Sequence, residues 1–489
     1  MKKGYTLLQF RDFDMDKFIK LYLSEIAEKK EDSNPYFPTP YVKAKRGVKN
    51  ENKIAWKCQY LQNTIIRMAT SKKNNMTFSL NSQILKCVIG AEYKPMLNIL
   101  CQMGYIEKGD GYGGNDKHWY YIEASYSTLY TMAKDVRIVE TPLLNIQIEK
   151  YINKTFDEIE KLRNTVILPY IDNRYGRNFR QHYITSLNAI SILFPFEFQN
   201  KINMLIAQNP QSRYYYKYIE AELFNSNKTI QKVDGSGRIY HVLTNTDKQL
   251  KPYLNIDFSL DCANSQPLLF SYLIYHHHSI SSPIAYNISL ILRSTQLSKH
   301  HNAVQYLRKQ LNDSNIEKSE IAKLTDDELL YIALCSQGKL WDELSDELGI
   351  ERSELKVKMF QEVFYSNTAY AYRWKPLAVL FRKKFPTVYK LIGKWKKKSC
   401  EQQVNEYMTT HNLYAKSPTA SLSIAMQAVE AEIFVKILKM IYRKRWLAVN
   451  IHDCIIIPIT NNKNKADYHG VLHIMQNVFR EYGLCPTFK

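Results

Sequence analysis

Two β-like segments that lie far apart in the chain constrain its fold most strongly. The first is YLNIDFSLDCANSQPLLF, residues 253–270, and the second is WLAVNIHDCIIIPI, residues 446–459. Between them, residues 280–440 carry apolar side chains at helical spacing. The pattern predicts an α+β fold in which two separated β segments bracket a long helical insertion.

The second segment places two polar residues inside a run that is otherwise apolar. Its Ile and Val content is typical of buried β-structure, yet His452 and Asp453 interrupt it. Burying an unpaired carboxylate is costly, so the pair needs a reason. One explanation is a tight hairpin turn, whose geometry Asp tolerates. The other is a turn that holds the carboxylate toward a metal ion, and the pair alone does not decide between them.

The chain is strongly basic. Its 67 Lys and Arg against 47 Asp and Glu give a net charge of +20, which favours a polyanionic partner, most often nucleic acid. The 36 Tyr residues suit base stacking beside phosphate contacts, although Tyr in a core or an interface is commoner. A basic protein without such a partner is the alternative.

The eight cysteines indicate a reducing environment. No two of them have CxxC spacing, and no His lies in zinc-finger register with them. We therefore expect neither a structural zinc site nor a disulfide framework, and we expect a cytoplasmic location. No signal peptide and no apolar stretch of transmembrane length is recognisable in the sequence.

Residues 76–123 have the pattern of a compact module. One helix ends at Gly90, a second ends at Gly104, and a hairpin with a Gly-rich tip follows. Two helices and such a hairpin resemble a winged-helix module. Lys108 and Lys117 in the hairpin suit contacts with a nucleic-acid backbone, and a protein–protein or interdomain module is an equal alternative.

The two β segments each carry an acidic residue at a position suited to metal binding. Asp261 ends the first strand, just before the pattern turns helical, and Asp453 lies in the second segment. Two-metal phosphoryl transfer needs carboxylates from different strands. Mg²⁺ suits such a site because it takes few protein ligands and leaves room for triphosphate oxygens. Asp257, four positions earlier, is expected to lie away from the metals.

A candidate nucleotide cradle lies in the helical insertion. Four residues of ERSELKVKMFQEVF, residues 351–364, recur every four positions: Arg352, Lys356, Phe360 and Phe364. On an α-helix this spacing places them on one face, with the cations suited to a triphosphate and the rings to base and sugar. The alternative is an amphipathic helix with Phe in the core, but its cations would then oppose the rings.

The stretch RWKPLAVLFRKKFPTVYKLIGKWKKK, residues 373–398, is dense in Lys and Arg with aromatic residues among them. It suits a track for nucleic acid, with cations on phosphates and rings available for stacking. Its end supplies Lys396, Lys397 and Lys398 as candidate nucleic-acid-binding residues. A solvated helical face is the alternative, since charge runs commonly form one.

The order of these motifs resembles the superfamily of family A DNA polymerases and single-subunit, phage-type RNA polymerases. Asp261 in LDCANSQP is similar to the metal-binding Asp of motif A, and His452 with Asp453 to the His-Asp pair of motif C. Motif B has the form Arg-x3-Lys-x7-aromatic. It is matched by Arg352, Lys356 and Phe364.

Two further elements strengthen the resemblance. DGSGRIY matches the DxxGR element, which contacts the nucleic-acid backbone, through Asp234, Gly237 and Arg238. AMQAVEAEIFVKIL is similar to the helix that touches the primer–template minor groove, with Gln427 at that place. The DxxNSQP form of motif A and the short chain are closest to the transposon- and virus-associated branch.

The resemblance implies a right-hand polymerase, with an antiparallel palm sheet and helical fingers and thumb. An N-terminal region with the winged-helix-like module would span residues 1–135 and a helical, thumb-like region 136–232. Palm and fingers would occupy 233–489, with the fingers at about 280–400. The fold class expected is thus α+β.

The resemblance also assigns chemistry to individual residues. Asp261, Asp453 and the backbone of Cys262 would hold two Mg²⁺ ions, with Mn²⁺ as a substitute, and Lys356 and His452 would serve catalysis. The nucleotide-binding residues implied are Arg352, Lys356, Phe360, Phe364, Tyr365 and Gln266.

Sugar choice is left open by departures from the family pattern. Gln266 stands where the DNA-polymerase branch has a Glu that crowds the 2′-hydroxyl, and Phe364 stands where Tyr is usual, with Tyr365 following. Phe360 and Gln427 favour the DNA-polymerase branch. We expect a DNA polymerase that binds DNA and nucleoside triphosphates and no membrane; an RNA polymerase or primase, or a non-catalytic replication-initiation protein, are the alternatives.

Overall fold

The computed structural model describes residues 6–31, 51–70, 77–80, 82–108, 129–132, 137–142, 146–234, 236–296, 303–365, 375–396, 418–460 and 465–489. The chain divides into two compact units. The N-terminal unit holds residues 1–170 and 194–225, and the C-terminal unit holds residues 171–193 and 226–489. Both are mostly helical with small antiparallel sheets, as the α+β prediction requires.

The elements up to residue 225 are predominantly helical. The strands are β1 (Thr6–Phe10), β2 (Thr77–Ser79), β3 (Ile106–Lys108), β4 (Leu129–Met132) and β5 (Ile138–Pro142). The helices are α1 (Met15–Glu31), α2 (Glu51–Thr70), α3 (Ser82–Ile89), α4 (Tyr93–Gln102), α5 (Ile146–Leu162), α6 (Leu168–Tyr175), α7 (Arg177–Ala189), α8 (Pro195–Gln208) and α9 (Arg213–Phe224).

Helix α2 anchors the N-terminal unit through two buried amide side chains. Strand β1 pairs with β5 in antiparallel register. Two of its other backbone amides, those of Leu8 and Phe10, donate to the side-chain oxygens of Asn63 and Gln62, each at 3.1 Å. Both acceptors lie on α2, and both are almost fully buried. Buried backbone donors need partners, so these two side chains fix β1 against α2.

The module predicted in this unit contains a three-stranded sheet in the order β2-β4-β3. Helices α3 and α4 stand between β2 and β3, as expected. The described partner of β3 is β4, with Ile106 opposite Met132, so the sheet extends beyond residue 123. Lys108 is exposed at the end of β3, whereas Lys117 and the predicted tip lie outside the described residues.

The C-terminal unit contains α7 and the elements from residue 226 onward. Its strands are β6 (Lys232–Val233), β7 (Ile239–Tyr240), β8 (Ile256–Asp261), β9 (Val449–Ile451) and β10 (Cys454–Pro458). Its helices from residue 242 onward are α10 (Val242–Asn245), α11 (Ser265–His277), α12 (Ser282–Ser294), α13 (Ala303–Asn312), α14 (Lys318–Ala322), α15 (Asp326–Ser336), α16 (Leu340–Leu348), α17 (Arg352–Lys358), α18 (Pro376–Lys384), α19 (Pro386–Lys396), α20 (Pro418–Arg443) and α21 (Tyr468–Glu481).

The two distant β segments form one antiparallel sheet in the order β8-β10-β9. Cys454 pairs with Asp261, and Ile455 with Leu260. His452 and Asp453 are the two-residue turn between β9 and β10, and His452 adopts a left-handed φ of 53°. The hairpin explanation for the polar pair is therefore confirmed, and it leaves the metal-binding explanation open.

Helices cover this sheet and hold its hairpin. The α11 residues Leu268, Leu273 and Ile274 are buried directly after β8. On α7, the buried Tyr183 hydroxyl donates to the Asn450 side-chain oxygen at 3.2 Å. Within the described ranges, no helix combines the length and apolar character needed to cross a membrane.

Candidate active site

A cleft of about 500 Å³ in the C-terminal unit gathers most of the predicted site residues. These lining residues are Arg238, Asp261, Cys262, Gln266, Arg352, Lys356, Phe360, His452 and Asp453. They come from segments spread over more than half of this unit, and the sheet and helix α17 bring them together. The cleft is therefore the candidate active site.

Two carboxylates lie at one end of the cleft. Asp261 ends β8, and the backbone carbonyl of Asp453 accepts a hydrogen bond from the amide of Cys262 at 3.0 Å. Partial burial, and to a smaller extent the charge of Asp453, raise the pKa of Asp261 to about 6. Burial likewise raises the pKa of Asp453. Two carboxylates that disfavour each other's ionisation form a site that a cation would stabilise.

The donor set fits a hard divalent cation. Among the residues that the structure describes, no group of three or more His, Cys, Asp or Glu side chains is arranged to hold a metal ion. Two carboxylates remain, which suits Mg²⁺ because this ion keeps several waters and takes substrate oxygens as further ligands. Asp257 forms an ion pair with Lys465 at 3.0 Å, so the protein itself neutralises that third carboxylate.

His452 is held in the turn as a neutral ring. Burial, and to a smaller extent the charge of Arg238, lower the pKa of His452 to about 4. The ring of Tyr240 meets it edge-on at 5.5 Å between centroids. Its buried Nδ1 has no hydrogen-bond partner within the described part of the chain. A buried polar atom of this kind is suited to a contact with a ligand.

Helix α17 carries the predicted cations along the cleft. Lys356 is exposed, and its charge lowers the pKa of both Asp261 and Asp453. Arg352 forms an exposed ion pair with Asp342 at 3.0 Å. Lys358 pairs with Glu354 at 2.7 Å, one turn earlier on the same helix. The register that selects Lys356 over Lys358 therefore agrees with the structure.

The prediction for Phe364 is wrong, and a change of helix type explains why. Residues Met359–Phe364 form a π-helix, in which the Tyr365 amide donates to the carbonyl of Phe360 at 2.7 Å. The wider turn adds one residue, so spacing by fours fails beyond Phe360. Phe364 is fully buried against the ring of Phe270, so it does not face the cleft.

Two aromatic residues, Phe360 and Trp341, line the cleft, and Tyr365 packs beside Phe360. The rings of Phe360 and Tyr365 stack at 5.2 Å with an interplanar angle of 17°, and Trp341 meets Phe360 edge-on at 6.1 Å. The Tyr365 hydroxyl donates to the side-chain oxygen of Gln266. Trp341 was not predicted, because it belongs to a separate helix whose sequence pattern does not single it out.

The DxxGR turn is built by its own side chains. One carboxylate oxygen of Asp234 accepts from the amides of Ser236 and Arg238, each at 3.0 Å, and the other accepts from the Tyr240 hydroxyl at 2.8 Å. Gly237 has a φ of +95°, and a Cβ there would lie 2.3 Å from the Tyr175 hydroxyl. Both residues thus serve the shape of the turn.

The guanidinium of Arg238 is directed inward rather than held free for a ligand. It forms an ion pair with Glu430 at 2.7 Å, and its side chain is only 12% exposed. Glu430 is 1% exposed on α20 and lines the cleft. Gln427 is half-buried one turn earlier. Sequence reasoning missed Glu430, since a Glu in a long helix usually faces solvent.

Lys396 departs from the predicted basic track. Its side chain is buried, and its ammonium donates to the carbonyl of Val363 at the end of the π-helix. Burial lowers the pKa of Lys396 to about 7. A free carbonyl at a helix end is a favourable partner for a cation. The prediction that Lys396 faces phosphates is therefore wrong, and Lys397 and Lys398 lie outside the described residues.

Three aromatic residues of the same stretch also belong to the core. Phe381 and Phe385 are fully buried, and Trp395 is nearly so. They are not available for base stacking. The solvated-face alternative therefore describes α18 and α19 better: their exposed basic residues include Arg382, Lys383 and Lys390.

Lys489 joins the site from the far end of the chain. Its amide and carbonyl both pair with those of Asp261, each at 2.9 Å. It lines the cleft, and its charge lowers the pKa of Asp261. No sequence motif pointed to it, because only the tertiary fold brings it beside β8.

No protein-family model matches the chain, and no curated protein sequence is significantly similar to it.

Proposed function

We propose that this protein is a template-directed nucleic-acid polymerase that transfers nucleotides by two-metal chemistry. The observation that carries the proposal is one cleft that holds two carboxylates and two cations: Asp261 at the end of β8, Asp453 in the β9–β10 turn, and Arg352 and Lys356 on α17. Polymerisation needs both features, since acids must hold metal ions and cations must hold a triphosphate. The order of motifs over residues 234–459 supports the same class.

The carboxylates of Asp261 and Asp453, with the backbone of Cys262, would hold the Mg²⁺ ions. When bound there, the ions neutralise charge that develops on the reacting phosphate. Lys356 contacts the triphosphate and gives a proton to the leaving pyrophosphate, while Arg352 binds the phosphates.

The remaining cleft residues orient the two reactants. Phe360, with Trp341 and Tyr365 beside it, packs on the base of the incoming nucleotide. His452, neutral and with an unpartnered ring nitrogen, contacts the primer end. These contacts place the reactants without adding charge, which is how positioning lowers a barrier.

The surrounding architecture supports a right-hand arrangement. The sheet β8-β10-β9 would be the palm. Helix α17 and the helices around it would be the fingers. The strand order β2-β4-β3 is compatible with a winged-helix module, in which α3 and α4 come between β2 and β3 in the chain. Lys108 of this module would contact a nucleic-acid backbone. Replication of a mobile element or virus is the setting that the resemblance implies.

DNA synthesis is the favoured activity, with Phe360 and Gln427 in its support. The second candidate, an RNA polymerase or primase, is favoured by one observation: the residue that Tyr365 contacts is the neutral Gln266 instead of a carboxylate. The amide of a Gln can donate a hydrogen bond to a sugar hydroxyl, which a carboxylate cannot do.

The test is nucleotide incorporation by the purified chain with Mg²⁺. Labelled dNTPs or NTPs are supplied with primed and with unprimed single strands. Incorporation of dNTPs on the primed strand supports the DNA polymerase, and incorporation of NTPs on the unprimed strand supports the primase. A replication-initiation protein without catalysis would bind both strands and incorporate neither nucleotide.

A further inference from the structure

Four basic residues of the described chain line the cleft, and the protein already uses the charge of two of them. Arg238 and Arg352 are held in ion pairs, at 2.7 Å and 3.0 Å. Neither the Lys356 ammonium nor the Lys489 ammonium has a hydrogen bond or an ion pair with any residue that the structure describes. Lys356 is assigned to the triphosphate above, so Lys489 is the cation that still lacks a role.

Strand pairing fixes Lys489 directly beside Asp261. Its amide donates to the carbonyl of Asp261, and its carbonyl accepts from the amide of Asp261, each at 2.9 Å. Two residues that exchange both bonds stand opposite each other in an antiparallel pair, and their side chains lie on the same face. The Lys489 side chain therefore leaves the backbone on the face that carries the Asp261 carboxylate.

The segment that carries Lys489 is held by contacts in which the Lys489 side chain takes no part. The Ala263 amide donates to the carbonyl of Thr487 at 2.9 Å, and the Thr487 hydroxyl donates to a carbonyl at the end of α15 at 2.9 Å. The ring of Phe488 meets that of Phe479 edge-on at 5.6 Å. Replacing the exposed Lys489 side chain should therefore leave the segment in place.

A second polar group at this end of the cleft also lacks a partner in the protein. Asn264 lines the cleft and is 6% exposed. Neither the oxygen nor the nitrogen of its side-chain amide has a hydrogen bond within the described part of the chain. A phosphate oxygen in the cleft would supply an acceptor for that nitrogen.

The chemistry of this end of the cleft selects a metal-bound phosphate as the ligand. The Mg²⁺ ions assigned to Asp261 and Asp453 would keep coordination positions for phosphate oxygens. A phosphate bound there brings its negative charge beside Lys489, and a flexible ammonium pairs readily with phosphate oxygens. Lys356 on α17 and Lys489 after α21 would then reach the phosphates from two separate elements.

We propose that the Lys489 ammonium is a second phosphate-binding cation of the cleft, which binds the triphosphate of the incoming nucleotide and then the pyrophosphate product. The inference rests on the proposed polymerase function and deepens it. It adds a residue that lies outside all the motifs of the sequence.

The experiment measures kcat and KM for a nucleotide, and the inhibition constant of pyrophosphate, on one primer–template. Losing a hydrogen bond with a charged group changes an equilibrium by about tenfold or more. We expect Lys489→Met to raise both KM and the inhibition constant by about tenfold, with kcat within about threefold of the wild type. Lys489→Arg keeps the charge and should keep both constants within about threefold.

Two further variants separate phosphate binding from general damage. Lys489→Gln removes the charge but keeps a polar side chain, so the result does not depend on how the Met variant folds; it should behave as Lys489→Met does. Lys465→Met is the matched control, because Lys465 pairs with Asp257 on the same strand as Asp261 at 3.0 Å. It should leave both constants unchanged.

Two binding measurements exclude other roles for the ammonium. If Lys489 only compensated the charge of Asp261, Lys489→Met would bind Mg²⁺ more tightly and keep the nucleotide KM of the wild type. If Lys489 contacted the nucleic acid, Lys489→Met would bind the primer–template more weakly and keep that KM. Either result overturns the inference.

The outcomes also distinguish the inference from the polymerase proposal. An active wild type whose KM and inhibition constant are unchanged in Lys489→Met and Lys489→Gln overturns the inference and leaves the polymerase intact. A wild type that incorporates neither nucleotide overturns the polymerase, and calorimetric binding of inorganic tripolyphosphate with Mg²⁺ then tests the phosphate site alone. Binding about tenfold weaker in Lys489→Met would support that site, and equal binding would overturn it as well.

Discussion

Asp261 and Asp453 meet at one end of the β8–β10 pair, where the charge of Asp453 raises the pKa of Asp261. The relationship arises from the strand register, because Asp453 directly precedes the residue that pairs with Asp261. Without a cation, each of the two carboxylates disfavours the ionised form of the other. Stability and metal binding are therefore linked at this point.

Removing one of these charges should stabilise the metal-free protein. Since the folded state raises the pKa of Asp261 to about 6 from 3.8, it binds the proton more tightly than the unfolded state does. The wild type therefore gains stability as pH falls from about 6 toward 3.8, and the destabilisation is fully present above pH 6. In EDTA, Asp261→Asn should melt at a higher temperature than wild type at pH 7.5, and the difference should shrink by pH 5.

Added Mg²⁺ should raise the melting temperature of the wild type and leave that of Asp261→Asn nearly unchanged. Asp257→Asn is the matched control, because Asp257 pairs with Lys465 instead, and it should respond to Mg²⁺ as the wild type does. Thermal denaturation followed by circular dichroism measures all three. An equal rise in melting temperature with Mg²⁺ in Asp261→Asn would show that the metal does not bind at this position.

Replacement of the two lysines of α17 should have very different effects on catalysis. Lys356→Ala should lower kcat by about 10²-fold or more, since it removes a general acid at the leaving group, and it should raise the nucleotide KM less. Lys358→Ala breaks only an exposed pair with Glu354 and should be mild. Steady-state kinetics decide between them, and the reverse order of sensitivity would show that the register of the cradle is wrong.

The π-helix predicts separate roles for two adjacent rings. Phe364→Ala should reduce the free energy of unfolding by about 3–5 kcal/mol, because Phe364 is fully buried. The volume-sparing Phe364→Leu should keep the nucleotide KM of the wild type. Tyr365→Phe should keep stability and change the nucleotide KM. Urea denaturation measures the stability of these variants, and steady-state kinetics measure their nucleotide KM. A changed KM in Phe364→Leu alone would show that Phe364 faces the nucleotide, as the α-helical register predicts.

Lys396 should behave as a buried amine. Its pKa is lowered to about 7 from 10.5, so the unfolded state binds the proton more tightly, and stability is lost as pH falls from 10.5 to 7. Lys396→Met should therefore gain melting temperature relative to wild type at pH 7 and lose that advantage by pH 10. Thermal denaturation across this range measures the difference, and a constant difference would contradict the burial of the ammonium.

The same variant tests the nucleic-acid track. A buried ammonium releases no counterion, so Lys396→Met should leave the salt dependence of DNA binding unchanged. Replacing the exposed Lys383 and Lys390 together should reduce the slope by up to about two units if this face binds phosphates. Fluorescence anisotropy at several salt concentrations compares them, and a flatter slope for Lys396→Met alone would place its ammonium at the nucleic acid.

Local pattern sufficed where the chain follows regular geometry. The strands around Asp261 and Asp453, the turn at His452 and the cleft face of Arg352, Lys356 and Phe360 were predictable, because alternation and fourfold spacing determine them. The position of Phe364 was not, since a single extra residue in a helical turn leaves no trace in composition. Spacing rules fail beyond such an insertion.

Tertiary contacts decided what the sequence left undetermined. Lys396 lies in a basic run that looks solvated, but the end of the π-helix takes its ammonium. Glu430 and Lys489 reach the cleft only because α20 packs against α11 and β9 and because the residues after α21 pair with β8. Such residues carry no motif of their own, and their partners are remote in sequence.

The most direct measurement is incorporation of labelled nucleotide on a primed strand with Mg²⁺ by Asp261→Ala and Asp453→Ala, beside the wild type and Asp257→Ala. Each site variant should lose about 10³-fold or more in rate while it still binds the strand, because several kcal/mol of charge stabilisation are removed. Asp257→Ala should stay near the wild type. Retained activity in Asp261→Ala, or an equal loss in Asp257→Ala, would contradict the assignment of this cleft as a polymerase site.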